Sequence, residues 1–261
     1  MVPMLTLRSL AFNISFYVAT TLIAGIGSPC LVARPYVLRV AGFWGRVCLW
    51  LLRVVAGIKV EFRGLENIPP GPLLVAAKHQ SALETLALCA VFPQFAYVLK
   101  QELLRIPLIG WYFSRGGMVA IDRSKGKRAM SLMNASAAEA LRNGAQVIVF
   151  PEGTRRAPGA PPAYKQGLSH LYASLNVACV PVALNTGLFW SRNSFVRRPG
   201  HAVIEFLPPI PPGLPRAEFQ ALVEERIETA SNALLDSGLR GLADAGYQVP
   251  TTETPTAAPR T

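Results

Sequence analysis

From residue 58 onward, short apolar runs alternate with stretches of helical period. The strand-like runs fall at 59–63, 73–77, 95–99, 118–121, 146–150, 178–183 and 202–206. Helical patterns follow at 82–91, 127–142, 166–175 and 217–235. Strands that alternate with helices predict an α/β domain whose central sheet is mostly parallel and flanked by helices. Pro69, Pro70, Gly71 and Pro72 punctuate the first strand-to-strand turn. The Pro- and Thr-rich end after Gln248 reads as a flexible tail. With no internal repeat, the chain divides into an N-terminal helical segment at 1–57, the α/β domain at 58–240 and a tail at 241–261.

The N-terminal segment has a different pattern. Residues 9–33 are 25 uncharged positions between Arg8 and Arg34. As one helix they would extend about 37 Å, enough to cross a bilayer. Six Ser, Thr or Asn residues interrupt the run, and Gly25, Gly27 and Pro29 weaken its second half. A cleaved signal peptide is the alternative, although the leading charge is sparse and no A-x-A site follows. In the next segment Arg39, Arg46 and Arg53 recur every seven residues, which places them in one helical stripe. Ala41, Trp44, Cys48, Leu52 and Val55 fall on the opposite side, with Trp50 beside the arginines. A helix lying in a membrane interface has this arrangement, with arginines at phosphate level and the apolar side among acyl chains. A surface helix packed on the domain, its arginines solvated, has the same pattern.

Composition sharpens the choice of partner. Hydrophobic residues make up 51% of the 261 positions, and only 16% are charged, below the roughly 25% of ordinary soluble domains. The net charge is +11. No Asp or Glu occurs before Glu61, whereas six basic residues do. A nucleic-acid surface would interleave basic and aromatic residues on a polar domain. Basic residues embedded in apolar sequence instead indicate an anionic membrane surface. Cys30, Cys48, Cys89 and Cys179 stand far apart among apolar neighbours, without the paired spacing of a zinc or redox site. They read as reduced, mostly buried thiols of a cytosolic domain.

Four blocks carry candidate chemistry. In LLVAAKHQSALETLAL a strand delivers His79 to a loop, and Glu84 follows five positions later. On a continuous helix the two would lie about 140° apart, but a bent loop lets the carboxylate reach the imidazole. There it would set the tautomer and support an imidazolium. Ser81-x-x-Glu84 is also a capping box, in which Glu84 only closes the helix start. In SRGGMVAIDRSKGKR a strand ends at Asp122 and Arg123, ahead of further basic residues, which suits a phosphate or a solvated ion pair. In QVIVFPEGTRRAPGAPPAYKQG a strand enters a tight turn. Gly153 permits close backbone approach there, Thr154 offers a hydroxyl and Arg155 a planar fork. In ACVPVALNTG, Pro181 marks an edge strand or a ligand-facing wall.

In this order the blocks resemble the glycerolipid acyltransferase family, on the branch that makes phosphatidic acid. The likeness covers roughly residues 60 to 210, and FPEGTR at residues 150–155 is its most specific motif. The resemblance implies an α/β fold, no cofactor or metal, and acyl-carrier protein or acyl-CoA as donor substrate. It implies transfer to the sn-2 hydroxyl of 1-acylglycerol-3-phosphate in phospholipid biosynthesis. His79 would be the general base and Glu84 its orienting carboxylate. Arg123 and the turn Glu152-Gly153-Thr154-Arg155 would hold the glycerophosphate. Lys100, after a strand, matches a basic residue that binds phosphate or stabilises an oxyanion, and Pro181 would line the substrate wall. Partners would be membrane lipid, an anionic membrane surface and the acyl donor, not nucleic acid, with the catalytic domain on the cytosolic side of the inner membrane. Glu84 stands where most members have Asp, and Lys78 where Asn often precedes the histidine. The alternatives are the same chemistry on another lysolipid, such as lyso-ornithine lipid, and a non-catalytic membrane-binding protein.

Overall fold

A computed structural model describes residues 2–122 and 126–247. Seven strands form one sheet: β1 (Ile58–Arg63), β2 (Leu73–Ala77), β3 (Phe95–Lys100), β4 (Val119–Ile121), β5 (Gln146–Val149), β6 (Cys179–Leu184) and β7 (Gly200–Phe206). Their order is β1-β7-β6-β2-β5-β3-β4. The pairs from β6 to β4 are parallel, β7 runs antiparallel to β6, and β1 runs parallel to β7. The sheet is therefore mostly parallel, as the alternation predicts.

The central strands are apolar throughout because both faces are covered. On β2, Leu73, Val75 and Ala77 join the core beneath α1 (Val2–Ile26), α2 (Arg34–Leu51) and α3 (Leu83–Val91). Leu74 and Ala76 point the other way. They pack under α5 (Gly126–Arg142), α6 (Gly167–Leu175) and α7 (Arg216–Asp244) through Met133, Leu171 and Phe219. A short helix, α4 (Ile109–Arg115), escapes the pattern because it is only two turns long. The last helix continues past position 240 to Asp244, since Leu242 is buried against the core. The tail after Gln248 lies outside the described residues.

Two expectations change. Pro181 is not on an edge: β6 lies between β7 and β2, and Pro181 is buried. Its missing N–H is tolerated because the β6–β7 ladder stops there. Leu207 N–H donates to the Pro181 carbonyl at 2.9 Å, and pairing resumes only at Cys179 with Ile210, across a bulge containing Pro208 and Pro209. The second correction concerns α2. Cys48 and Leu52, assigned above to the lipid side, are fully buried in the domain core. A Cβ on Gly45 would meet the Leu86 carbonyl of α3 at 2.7 Å, so glycine lets the two backbones come together. The outer face of α2 and of the π-helical turn Leu52–Ala56 that continues it instead alternates Arg39, Arg46 and Arg53 with Tyr36, Phe43 and Trp50, all exposed.

The first helix spans Val2–Ile26 and stops where Gly27, Ser28 and Pro29 break it. Over Pro3–Ile26 it is long and apolar enough to cross a membrane. One side is nonetheless clipped to the domain. Arg8 Nε donates to the Val55 carbonyl at 3.0 Å, and Arg197 Nη2 donates to Asn13 Oδ1 at 2.8 Å. The Arg197 guanidinium lies 4.3 Å from the Trp190 ring centroid, and burial pulls its pKa down to about 10. Met4, Leu7, Ile14, Val18 and Leu22 remain exposed.

Candidate active site

The site forms where β2 and β5, paired at Ala76 and Val149, end side by side. After β2 the chain leaves the sheet through Lys78, His79, Gln80 and Ser81 before α3 begins. Glu84, fully buried on the first turn of α3, turns one carboxylate oxygen back into this loop. Oε1 lies 2.8 Å from His79 Nδ1 and accepts the backbone N–H groups of Gln80 at 2.8 Å and Ser81 at 2.7 Å. The other oxygen, Oε2, accepts from Thr186 Oγ1 at 2.6 Å. Ser81 Oγ in turn accepts the Leu83 N–H at 3.1 Å. One carboxylate oxygen thus holds both the loop N–H groups ahead of α3 and the imidazole, while the helix itself is capped at Ala82 without a side-chain bond.

With Nδ1 committed to Glu84, His79 has Nε2 left for chemistry. The imidazole stacks on Phe150 with centroids 3.9 Å apart and planes 17° apart. Phe150 leads into the Pro151-Glu152-Gly153 turn. Gly153 has φ +66°, a left-handed conformation that favours glycine, and its N–H donates to the Phe150 carbonyl at 2.9 Å. Beyond the turn, Arg156 N–H donates to the His79 carbonyl at 2.8 Å, which locks the two loops together.

A cavity of about 440 Å³ opens beside the histidine. His79, Gly153, Lys100 and Lys165 supply polar groups, and Leu99, Leu103, Phe113, Met130 and Leu168 supply apolar wall. A neighbouring cavity of about 420 Å³ lies among α1, α2 and α4, lined by Phe16, Ala24, Val37, Ala41, Trp44 and Tyr112. Thr85, Tyr97 and Phe113 border both cavities.

The sequence-derived candidates separate in space. His79, Lys100 and Gly153 line the first cavity. Lys100 is exposed and pairs with Glu102 at 2.8 Å. Thr154 is exposed and Arg155 half-buried, with the Arg155 carbonyl accepting from Arg192 Nη1 at 3.1 Å. Ile121, at the end of β4, reaches the cavity, and Arg123 lies outside the described residues. Pro181 lines neither cavity, so its substrate-wall role is corrected: it lies inside the sheet.

Glu152 is also corrected. It is 1% exposed and points inward, with Oε1 3.2 Å from Lys78 Nζ. Lys78 bonds Glu228 of α7 at 2.6 Å, and Glu228 accepts from the Tyr164 hydroxyl at 2.8 Å. A buried ammonium demands such anions, so Glu152 serves the turn's architecture instead of holding a phosphate. Burial raises the Glu152 carboxyl above the usual range, while Lys78 and Arg156 pull it back. Lys165 escaped the sequence reading. Its signal was a lone lysine in AYKQG, and its N–H bond to the Pro151 carbonyl at 3.0 Å brings it to the cavity. Among the described residues, no three His, Cys, Asp or Glu side chains cluster as metal ligands would.

A histidine held by a buried carboxylate beside a largely apolar cavity is an arrangement that suits general-base chemistry on a lipid-like substrate. Residues 59–185 match the family model described as Acyltransferase. The 1-acyl-sn-glycerol-3-phosphate acyltransferase of Pseudomonas aeruginosa is 41% identical over 157 residues, 60% of this chain and 61% of the relative. The human 1-acyl-sn-glycerol-3-phosphate acyltransferase alpha is 32% identical over 183 residues, 69% of this chain and 65% of the relative. The matches thus span somewhat under two thirds of these relatives' own length. The crystal structure of the 1-acyl-sn-glycerophosphate acyltransferase from Thermotoga maritima superposes with a TM-score of 0.74 at 27% identity. That match covers 87% of this chain and 96% of the other. Over residues 59–185 the chain is thus similar to the acyltransferase family.

Proposed function

We propose that the chain transfers an acyl group from a thioester, on acyl-carrier protein or coenzyme A, to the sn-2 hydroxyl of 1-acylglycerol-3-phosphate, giving phosphatidic acid. The observation that carries the reading is the Glu84-held His79 lining a cavity together with Lys100, Lys165 and otherwise largely apolar side chains. Nε2 of His79 takes the hydroxyl proton as the oxygen attacks the thioester carbonyl. The tetrahedral oxyanion collapses, the C–S bond breaks, and the imidazolium returns the proton to the departing thiolate. Glu84 supports the transient imidazolium. Lys100, Lys165 and Arg155 are the cations at hand for the acceptor's phosphate. The apolar second cavity suits an acyl chain.

The same reading explains the N-terminal helices. A helix clipped to the domain along one side cannot be surrounded by lipid, which supports a seat for α1 in one leaflet over a bilayer crossing. The exposed apolar side of α1 would enter the acyl region, and the Arg–aromatic stripe of α2 would meet the headgroups of an anionic cytosol-facing leaflet. Detergent-solubilised protein tests the assignment when offered lysophosphatidic acid and lyso-ornithine lipid in parallel, with each donor and His79→Ala as control. Phosphatidic acid made by the wild type and lost in the variant is the expected result. Product from lyso-ornithine lipid alone moves the acceptor, and no product from either removes the enzymatic reading.

A further inference from the structure

The turn after β6, Asn185-Thr186-Gly187, is buried yet polar, and its bonds converge on the histidine loop. Thr186 Oγ1 donates to Glu84 Oε2 at 2.6 Å, and Gly187 N–H donates to Gln80 Oε1 at 3.1 Å. Asn185 fastens the turn from behind. Its Nδ2 donates to the Leu234 carbonyl of α7 at 3.0 Å, and its Oδ1 accepts Val203 N–H of β7 at 2.8 Å. A Cβ on Gly187 would stand 2.8 Å from the Gln80 Cβ, so the approach needs glycine. The segment thus grips the loop that presents His79 from a point about a hundred residues downstream.

Glu84 shows what the grip accomplishes. Three donors, including His79 Nδ1, share Oε1, while Thr186 holds Oε2. Without that hydroxyl, Oε2 would sit unpaired in a fully buried site, with a carboxylate free to rotate. We propose that Thr186 is a positioning residue for acyl transfer: its hydroxyl fixes the plane of the Glu84 carboxylate and so sets the orientation of His79. This deepens the reading above and rests on His79 being the base.

Besides His79, Glu84 faces Tyr97 on β3, whose phenol is pushed well up by burial first, then by Cys89 on α3, with Glu84 adding to the effect. Tyr97 stays neutral through the working range, so the perturbation by Thr186→Val falls on the His79–Glu84 pair. Loss of a donor to the carboxylate form favours proton uptake by that pair, so the acid limb of the rate profile moves to higher pH.

The test compares Thr186→Val and Thr186→Ser with wild type and His79→Ala in detergent. Readouts are kcat, KM for lysophosphatidic acid, the pH profile of kcat/KM, and Tm. Hydrogen bonds to charged groups have a strength that predicts a kcat loss of about ten-fold for Thr186→Val. KM should stay within about two-fold, the acid limb should rise by roughly one pH unit, and Thr186→Ser should restore both kcat and the limb. A Thr186→Val enzyme with unmoved kcat, or with lowered kcat and Tm but an unmoved acid limb, overturns the proposal. Should Thr186→Val fail to fold, Thr186→Ala removes the same hydroxyl without a second methyl against the carboxylate, and the same outcomes decide. Activity retained in His79→Ala would overturn the base assignment instead, a separate failure.

Discussion

Replacing Lys78 by Met should remove much of the stability that holds the two active-site loops together. Lys78 is 3% exposed, and its ammonium lies 3.2 Å from Glu152 and 2.6 Å from Glu228. With Arg156, 3.6 Å from Glu152, it completes a cluster of two cations and two anions. Met fills nearly the same volume, so the packing change is small and the electrostatic loss dominates. Glu228 keeps the Tyr164 hydroxyl and 17% exposure, but Glu152, 1% exposed, would face only the longer Arg156 contact. Removing one partner of a buried pair costs about 3–5 kcal/mol, which corresponds to roughly 10 °C in Tm for a domain of this size.

The pH dependence has a definite sign. The Glu152 carboxyl is held above its usual range by burial even with Lys78 present. A carboxylate with a raised folded pKa weakens the fold at high pH, and the penalty disappears as pH falls through that pKa. Removing Lys78 raises it further, so the deficit of Lys78→Met should be largest near pH 8 and shrink towards pH 5. Thermal unfolding in detergent, followed by tryptophan fluorescence, reads both effects. Lys78→Met with Glu152→Gln should recover about half of the loss, because the stranded charge is gone. A single variant within about 3 °C of wild type at pH 8, or a deficit that grows on acidification, would refute the reasoning.

Other consequences can be checked singly. Glu84→Gln keeps an acceptor for the Gln80 and Ser81 N–H groups but loses the charge, so kcat should fall about 10³–10⁴-fold with little change in Tm; comparable losses in both would oppose this. Ala41→Phe, at the wall of the apolar cavity, should shift preference towards shorter acyl thioesters in a mixed-donor assay, and an unchanged preference would exclude that cavity as the chain's site. Replacing Arg39, Arg46 and Arg53 together by Gln should weaken binding to anionic vesicles by about 3 kcal/mol at low salt, and undiminished binding would place the membrane face elsewhere. Cys48, Cys89 and Cys179 are buried, with the Cys89 thiol pushed up to about 12 by burial, so a thiol reagent should titrate only Cys30 rapidly in native protein.

The fold was legible because periodicity is local. Runs at 73–77 and 146–150 differ from the observed strands by one residue at most, since a parallel strand covered on both faces must be apolar throughout. The corrected reading of Glu152 turned on partners far along the chain. Lys78 and Glu228 are 150 residues apart, and no spacing rule links them. Without that partner in view, Glu152 inside a phosphate-like turn had no reason to point inward. The arginine stripe was read with its register right, and of the two environments the pattern left open for the opposite face, the structure shows the one packed on the domain. Seven-residue spacing identifies which residues share a face, but only the Gly45 contact with α3 shows that the opposite face meets protein.

Glu84 shows why two readings of one residue need not compete. A capping carboxylate sits at the first turn of a helix, where free N–H groups converge, and a base-orienting carboxylate needs fixed donors that keep it ionised. The same location satisfies both needs. Two backbone N–H groups of the loop ahead of α3 hold the oxygen that contacts His79 Nδ1, so on the proposed mechanism this loop preorganises the base. The extra methylene of Glu relative to Asp is absorbed in that geometry, because the carboxylate curls back to the loop instead of the loop moving to it. On this account catalytic competence and helix initiation are coupled in the local structure. Substituting Glu84 by a non-acceptor should therefore harm both, whereas a neutral isostere should separate them.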